Sequence, residues 1–186
     1  MSPPSDGLAK KYPNIKFLKM LRDPRDVIVS AATYLARLPI EQGGWGKFSG
    51  LSEKEKILTL IRDGNFLLEE LREWFLCSFA LSVRYEDLLV DGIGELGKIV
   101  SFLGYSISED VLEFYFQKYS FNNMTGRNAG QEDQNSFFRK GIAGDWKNKF
   151  DAEIIHSFKT ARDGEWQALL ELLEYEQDAD WTCKKE

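Results

Sequence analysis

The chain has 186 residues, 43% hydrophobic and 13% aromatic, which is ample for one packed domain, short for two, and excludes disorder as its main state. A formal net charge of −6 and a pI near 5.0 exclude the broadly basic surface that binds nucleic acid or an anionic membrane, so any anionic ligand must be held by a local cluster of cations. Cys77 and Cys183 are too far apart in sequence to suggest a disulfide framework or a metal quartet, and no apolar run approaches a membrane span or a secretory core, so a cytoplasmic protein is expected.

Residues 1–14 are polar, with Pro3, Pro4 and Pro13, and read as an irregular lead-in. KFLKML, Lys16 to Leu21, is short and apolar and predicts a strand. In LRDPRDVIVS the pair Asp23-Pro24 supplies a helix cap and first position, because proline has no N–H to leave unpaired there. From Arg25 a helix is predicted whose apolar face carries Val27, Ile28, Ala31, Tyr34, Leu35 and Leu38. Strand, corner and helix make an anion site, since ligands sit at the carboxyl ends of strands and a helix N-terminus offers unpaired N–H groups. Arg22 at the corner and the Ser30 hydroxyl suit a phosphate. Turn chemistry gives the plainer alternative, with Arg22 or Arg25 pairing with Asp23 or Asp26 on a solvated surface.

IEQGGWGKFSG follows and reads as a surface loop, with an acceptor-site lid as the sharper alternative; its glycines lack the order of a phosphate loop. Ser52 and Glu55 have capping-box spacing and open one long helix over about 53–75, kinked at Gly64. Phe79 to Leu88 predicts a second strand running into a polar corner at Tyr85-Glu86-Asp87. Helices over about 93–103 and 108–118 follow, the second with Ser108 as N-cap. The alternation argues for an α/β protein with parallel strands, of which two are too few for a complete sheet.

The segment from Ser120 to Phe150 has no sustained period and reads as a functional loop. In it, Phe137 and Phe138 stand beside Arg139-Lys140-Gly141. Rings for a base, an arginine fork and a lysine charge for a phosphate, and a glycine for close approach suit a nucleotide. An exposed basic turn beside two core phenylalanines explains the same residues.

RDPRDVIVS, VRYEDLL, SFNNM and FFRKGIAGDWKNKF occur in the order and at about the separations seen in cytosolic-type sulfotransferases, and between Lys16 and Phe150 the chain resembles that family. The resemblance implies an α/β fold with a P-loop-NTPase-like parallel sheet flanked by helices, incomplete at the N-terminus, and a single sulfotransferase-like domain over residues 1–186. It implies 3′-phosphoadenosine 5′-phosphosulfate as donor, adenosine 3′,5′-bisphosphate as product and no metal. Arg22 and Ser30 would bind the 3′-phosphate with Arg139, Lys140 and Gly141; Tyr85 would hydrogen-bond the adenine; Ser120, Phe121 and Phe137 would line its pocket; Trp146 would anchor the late loop.

The family's loop around the 5′-phosphosulfate has no counterpart in this sequence, and the family's histidine belongs ahead of Lys16, where this chain has none. The one histidine, His156, falls on a predicted helix past the last motif and reads as structural or exposed, so no catalytic residue is assigned. The family's dimer motif reads here Asp151-Ala152 and His156, where Asp151 still suits a helix cap. The expected function is sulfuryl transfer to a hydroxyl or amine of a small-molecule or other acceptor, with a complementing N-terminal chain as partner. A non-catalytic relative that binds nucleotide or a protein partner is the alternative. Trp166, Leu169, Leu170, Leu172 and Leu173 predict a C-terminal helix packed on the domain.

Overall fold

The computed structural model describes residues 11–12 and 14–175; the rest of the lead-in and Cys183 lie outside the described residues. The described chain divides into two compact units. The first comprises the residues up to Arg22, Glu70–Asp133 and Phe138–Ala143; the second comprises Asp23–Glu69, Gln134–Phe137 and the residues from Gly144 onward.

In the first unit, β1 (Phe17–Leu21) pairs in parallel with β2 (Ala80–Arg84), Phe17 opposite Ala80 and Leu21 opposite Arg84. Leu21, Ala80 and Val83 are buried, while Leu18 and Met20 on β1 are exposed, the alternation of a strand with one covered face. Lys19 is a buried cation in the middle of β1. Its Nζ donates to the carbonyls of Phe75 at 2.7 Å and Cys77 at 2.9 Å, at and just past a helix end where carbonyls lack helical partners, and the loss of water around it lowers its pKa.

The polar corner expected at Tyr85-Glu86-Asp87 is instead the first turn of a short helix, since the chain passes from β2 directly into Tyr85–Val90. Glu86 and Asp87 lie in that turn, where acidic residues favour the helix N-terminus. Helix Gly92–Leu103 is capped by Asp91, which accepts the Gly94 N–H at 3.0 Å. Helix Glu109–Lys118 begins after Ser108, whose side chain makes no cap bond, and helix Phe121–Thr125 starts inside the segment read as loop.

In the second unit, helix α1 (Pro24–Arg37) starts as its sequence dictates, with Asp23 accepting the Arg25 N–H at 2.9 Å. Its buried face differs from the expected one: Ile28, Val29 and Ala32 are buried together with Arg25 and Asp26, while Tyr34 is exposed. Two buried charged residues in the first turn rotate the stripe away from the face that hydrophobicity alone selects.

The single helix expected over 53–75 is two, α2 (Glu53–Asp63) and α3 (Asn65–Leu76). Gly64 divides them: its ψ of 43° leaves the helical region, and a Cβ at that position would lie 2.3 Å from the Leu60 carbonyl oxygen. The capping box opening α2 is complete, with Ser52 N–H donating to Glu55 at 2.7 Å and Glu55 N–H donating to the Ser52 hydroxyl at 3.3 Å. The glycine-rich stretch after α1 is anchored rather than a loose surface loop, because Phe48 is buried and Trp45 packs edge-on against Phe48 and Phe66.

The core of this unit is built from Ile57, Leu60 and Ile61 of α2, Ile154 and Phe158 of helix Ala152–Thr160, and Trp166, Leu170 and Leu173 of the C-terminal helix Glu165–Leu172 and its end. Asp151 caps the first of these two helices through the Ile154 N–H at 3.0 Å. The Trp166 indole N–H donates to the Ile61 carbonyl at 2.8 Å, so the largest core side chain leaves no polar atom unpaired. Leu172, expected on the packed face, is exposed. Among the described residues no helix is long and apolar enough to cross a membrane, and no group of three or more His, Cys, Asp or Glu is placed to hold a metal ion.

Candidate anion-binding site

The parallel register sets the geometry at the carboxyl end of the sheet. Leu21 stands opposite Arg84, so the next residues along, Arg22 and Tyr85, leave the two strands side by side. The Arg22 guanidinium lies over the Tyr85 ring, 4.5 Å from its centroid, and Arg22 Nη2 donates to the Ile142 carbonyl at 3.0 Å. The strand corner and the RKG segment, far apart in sequence, therefore meet within one unit.

Local chemistry shapes the rest of that segment. Gly130 N–H donates to the Lys140 carbonyl at 2.8 Å and Asp133 N–H to the Arg139 carbonyl at 2.9 Å, which folds residues 130–140 back on themselves. Arg127 staples this fold: Nη1 donates to the carbonyls of Gln131 at 2.7 Å and Arg139 at 2.9 Å, and Nη2 to that of Phe138. The Arg127 guanidinium also lies over the Phe121 ring, 5.1 Å from its centroid. Gly141 has φ +67°, and a Cβ there would come within 2.4 Å of Phe121 Cδ2, so this glycine is required both for its backbone and for its contact. Arg139 Nη1 donates to Glu132 Oε1 at 2.6 Å, and Lys140 Nζ stands 4.0 Å from Glu132 Oε2.

The Ser120 hydroxyl accepts the Asn123 N–H at 3.4 Å and so caps helix Phe121–Thr125. Of the expected site residues, Arg22, Tyr85, Ser120, Phe121, Arg139, Lys140 and Gly141 thus belong to the first unit. Two cations on one loop, a third bonded to that loop, and a left-handed glycine form a donor set whose chemistry fits a phosphate.

Ser30 and Phe137 belong to the second unit. Ser30 is half-buried on α1. Phe137 is 75% exposed and meets Tyr34 edge-on at 6.0 Å, and Phe138 is exposed as well, so neither is the core phenylalanine of the plainer reading.

The corner's other charges are structural and buried, contrary to the solvated pairing expected for them. Arg25 grips Asp23 through Nε at 3.0 Å and Nη2 at 2.7 Å and stacks on the Trp146 indole, 3.8 Å from the ring centroid. Asp26 accepts the Gly144 N–H at 2.7 Å and the Trp146 N–H at 2.9 Å. Trp146, 7% exposed, anchors the late loop as expected. His156 sits on the exposed side of its helix, away from the buried Ile154, Ile155 and Phe158.

Arg127 and Glu132 were not singled out by the sequence, and Asp26 was read there only as a surface partner for an arginine. Asp26 carried the one available signal, an acid in the first turn of a helix that already has its cap.

A model of the sulfotransferase domain matches residues 4–170. Sulfotransferase 2A6 of Rattus norvegicus is 29% identical over 164 residues, covering 77% of this chain and 54% of the relative. Sulfotransferase 1C2 of Homo sapiens is 30% identical over 152 residues, covering 74% and 50%. The chain spans about half the length of the curated relatives it matches.

Among solved structures, mouse sulfotransferase SULT7A1 complexed with PAP superposes with a TM-score of 0.63 at 22% identity, covering 89% of this chain and 65% of that one. Retinol dehydratase in complex with androsterone and inactive cofactor PAP gives 0.59 at 23%, covering 82% and 50%. These likenesses give the fold, the P-loop-like α/β architecture of sulfotransferases. The domain match extends from ahead of the first strand into the C-terminal helix, and the chain belongs to the sulfotransferase family.

Proposed function

We propose that the chain carries the 3′-phosphoadenosine end of a site for 3′-phosphoadenosine 5′-phosphosulfate, within a single sulfotransferase-like domain that transfers a sulfuryl group to a hydroxyl or amine of a small-molecule acceptor in the cytoplasm. Arg22, Arg139 and Lys140 hold the 3′-phosphate, with Gly141 letting the backbone approach. Tyr85 hydrogen-bonds the adenine, and Ser120 and Phe121 line its pocket. A complementing N-terminal segment, in this or another chain, supplies the 5′-phosphosulfate loop and the base. Electrostatic positioning of the leaving nucleotide is then this chain's share of catalysis.

The observation that carries this reading is the Arg22 guanidinium, stacked on Tyr85 and bonded to Ile142, within the unit that also holds Arg139 and Lys140. Support comes also from SULT7A1 and retinol dehydratase, both solved with PAP.

Calorimetry tests it. Adenosine 3′,5′-bisphosphate is expected to bind, and adenosine 5′-monophosphate to bind at least tenfold more weakly. Arg22→Met removes one charge-assisted contact worth about 1.5–3 kcal/mol, a loss of roughly 10- to 150-fold in affinity. Equal affinity for the two nucleotides, or no heat with millimolar bisphosphate, overturns the proposal.

A further inference from the structure

Glu132 occupies the two cations of the proposed phosphate site. Its carboxylate receives Arg139 Nη1 at 2.6 Å on one oxygen and faces Lys140 Nζ at 4.0 Å with the other, so a single anion spans both cations. The three side chains are shielded, with relative exposures of 10% for Arg139, 17% for Lys140 and 23% for Glu132, which strengthens the pairing relative to an open surface.

The carboxylate is not needed to fold this loop. Gly130, Asp133 and Arg127 hold it through backbone carbonyls at 2.7–2.9 Å, independently of the Glu132 side chain. The carboxylate is also tethered, seven positions from Arg139, and so presents itself at a local concentration that a free anion reaches only in the millimolar range.

Resting on the site reading above, we propose that Glu132 is a resident anion of the phosphate subsite, a residue that sets how strongly the site selects for a 3′-phosphate. A nucleotide bearing that phosphate must displace the carboxylate from Arg139 and Lys140. A phosphomonoester, with its charge near −2 at neutral pH, gains more from the two cations than the monoanion it replaces. A nucleotide without the 3′-phosphate leaves the carboxylate seated and gains nothing from its removal. Glu132 thus lowers affinity for the bisphosphate alone, and the selectivity of the site is smaller than its cations permit.

The sign of the effect separates this role from a structural one. In calorimetric titrations of the full chain, Glu132→Gln is expected to bind adenosine 3′,5′-bisphosphate about tenfold more tightly than the parent, with affinity for adenosine 5′-monophosphate unchanged. Its affinity is also expected to fall more steeply with salt, because phosphate binding no longer exchanges one protein-held anion for another. Glu132→Ala, which removes the carboxylate by a different substitution, is expected to match it, with circular dichroism reporting folding of both. Equal or weaker bisphosphate binding by the folded variants overturns the proposal while leaving the site reading in place. Absence of bisphosphate binding in parent and variants alike overturns both.

Discussion

Asp26→Asn tests whether the late loop is tied to α1 by a buried charge. Asp26 is 1% exposed, and each of its oxygens accepts one backbone N–H, from Trp146 at 2.9 Å and Gly144 at 2.7 Å. An asparagine of the same shape accepts from one of these and turns its NH2 toward the other. One charge-assisted bond is lost, the second is weakened, and a buried donor faces a donor. A hydrogen bond to a charged group contributes about 1.5–3 kcal/mol and an unsatisfied buried donor costs about 1–3, so the substitution costs about 3–5 kcal/mol. That is a large part of the roughly 5–15 kcal/mol stability of a domain. With a urea dependence of about 2 kcal/mol per molar, the midpoint falls by about 2 M. Glu69→Gln, at an exposed position on α3, is the control and is expected to move stability by no more than about 0.5 kcal/mol. A midpoint for Asp26→Asn within about 0.3 M of the parent, by both fluorescence and circular dichroism, refutes the assignment of Asp26 as the tie.

Gly141→Ala places a methyl group against the Phe121 ring at a backbone angle that alanine resists, and is expected to weaken bisphosphate binding at least tenfold in calorimetry while the helices persist by circular dichroism. Ser52→Ala removes the hydroxyl of the capping box and is expected to cost about 1 kcal/mol in urea unfolding. The Ser52 hydroxyl, and after it the Ser52 N–H, hold the Glu55 carboxyl below its ordinary 4.5, so carboxyl NMR is expected to show that titration move upward in the same variant. The Lys54 ammonium, and after it the Ile154 N–H, likewise hold Asp151 below 3.8. Both carboxylates bind protons less readily folded than unfolded. Their contribution to stability is therefore complete above the ordinary values and is lost as pH falls through the lower folded ones, which acid unfolding monitored below pH about 4.5 checks.

Local chemistry was legible in the sequence and long-range chemistry was not. Asp23-Pro24, Ser52 with Glu55, and Asp151 each cap a helix through atoms two or three residues away, and each does so as its pattern dictates. Asp26 finds its partners 118 and 120 positions on, and Arg22 finds Ile142 at 120, distances over which periodicity carries no information. Gly64 shows the intermediate case. A glycine in a helical pattern marks a weak point, but whether the helix bends or ends there depends on ψ, which the flanking residues do not encode. Arg22 with Ser30, and Phe137 with Arg139-Lys140-Gly141, were marked from their own chemistry beside a plainer alternative, whereas Tyr85, Ser120 and Phe121 were reached by resemblance alone, because a side chain's use as a ligand depends on what surrounds it.

Charge in the RDPRD corner is divided by backbone geometry. Arg22 continues from a strand, so its side chain leaves the sheet end toward Tyr85 and Ile142. Arg25, one residue into a helix, has a fork that closes on the capping Asp23 and a flat face that lies on Trp146. Asp26, next on the helix, accepts two backbone N–H groups of the late loop, those of Gly144 and Trp146. Four charges thus give one cation turned to the sheet end, against Tyr85 and Ile142, and three groups that fix the corner and the loop. A count of arginines misses this division. Arg25→Lys keeps the charge yet loses both the fork and the stacking plane, and is therefore expected to destabilise the fold in urea, whereas a residue serving only as a positive charge would tolerate the exchange.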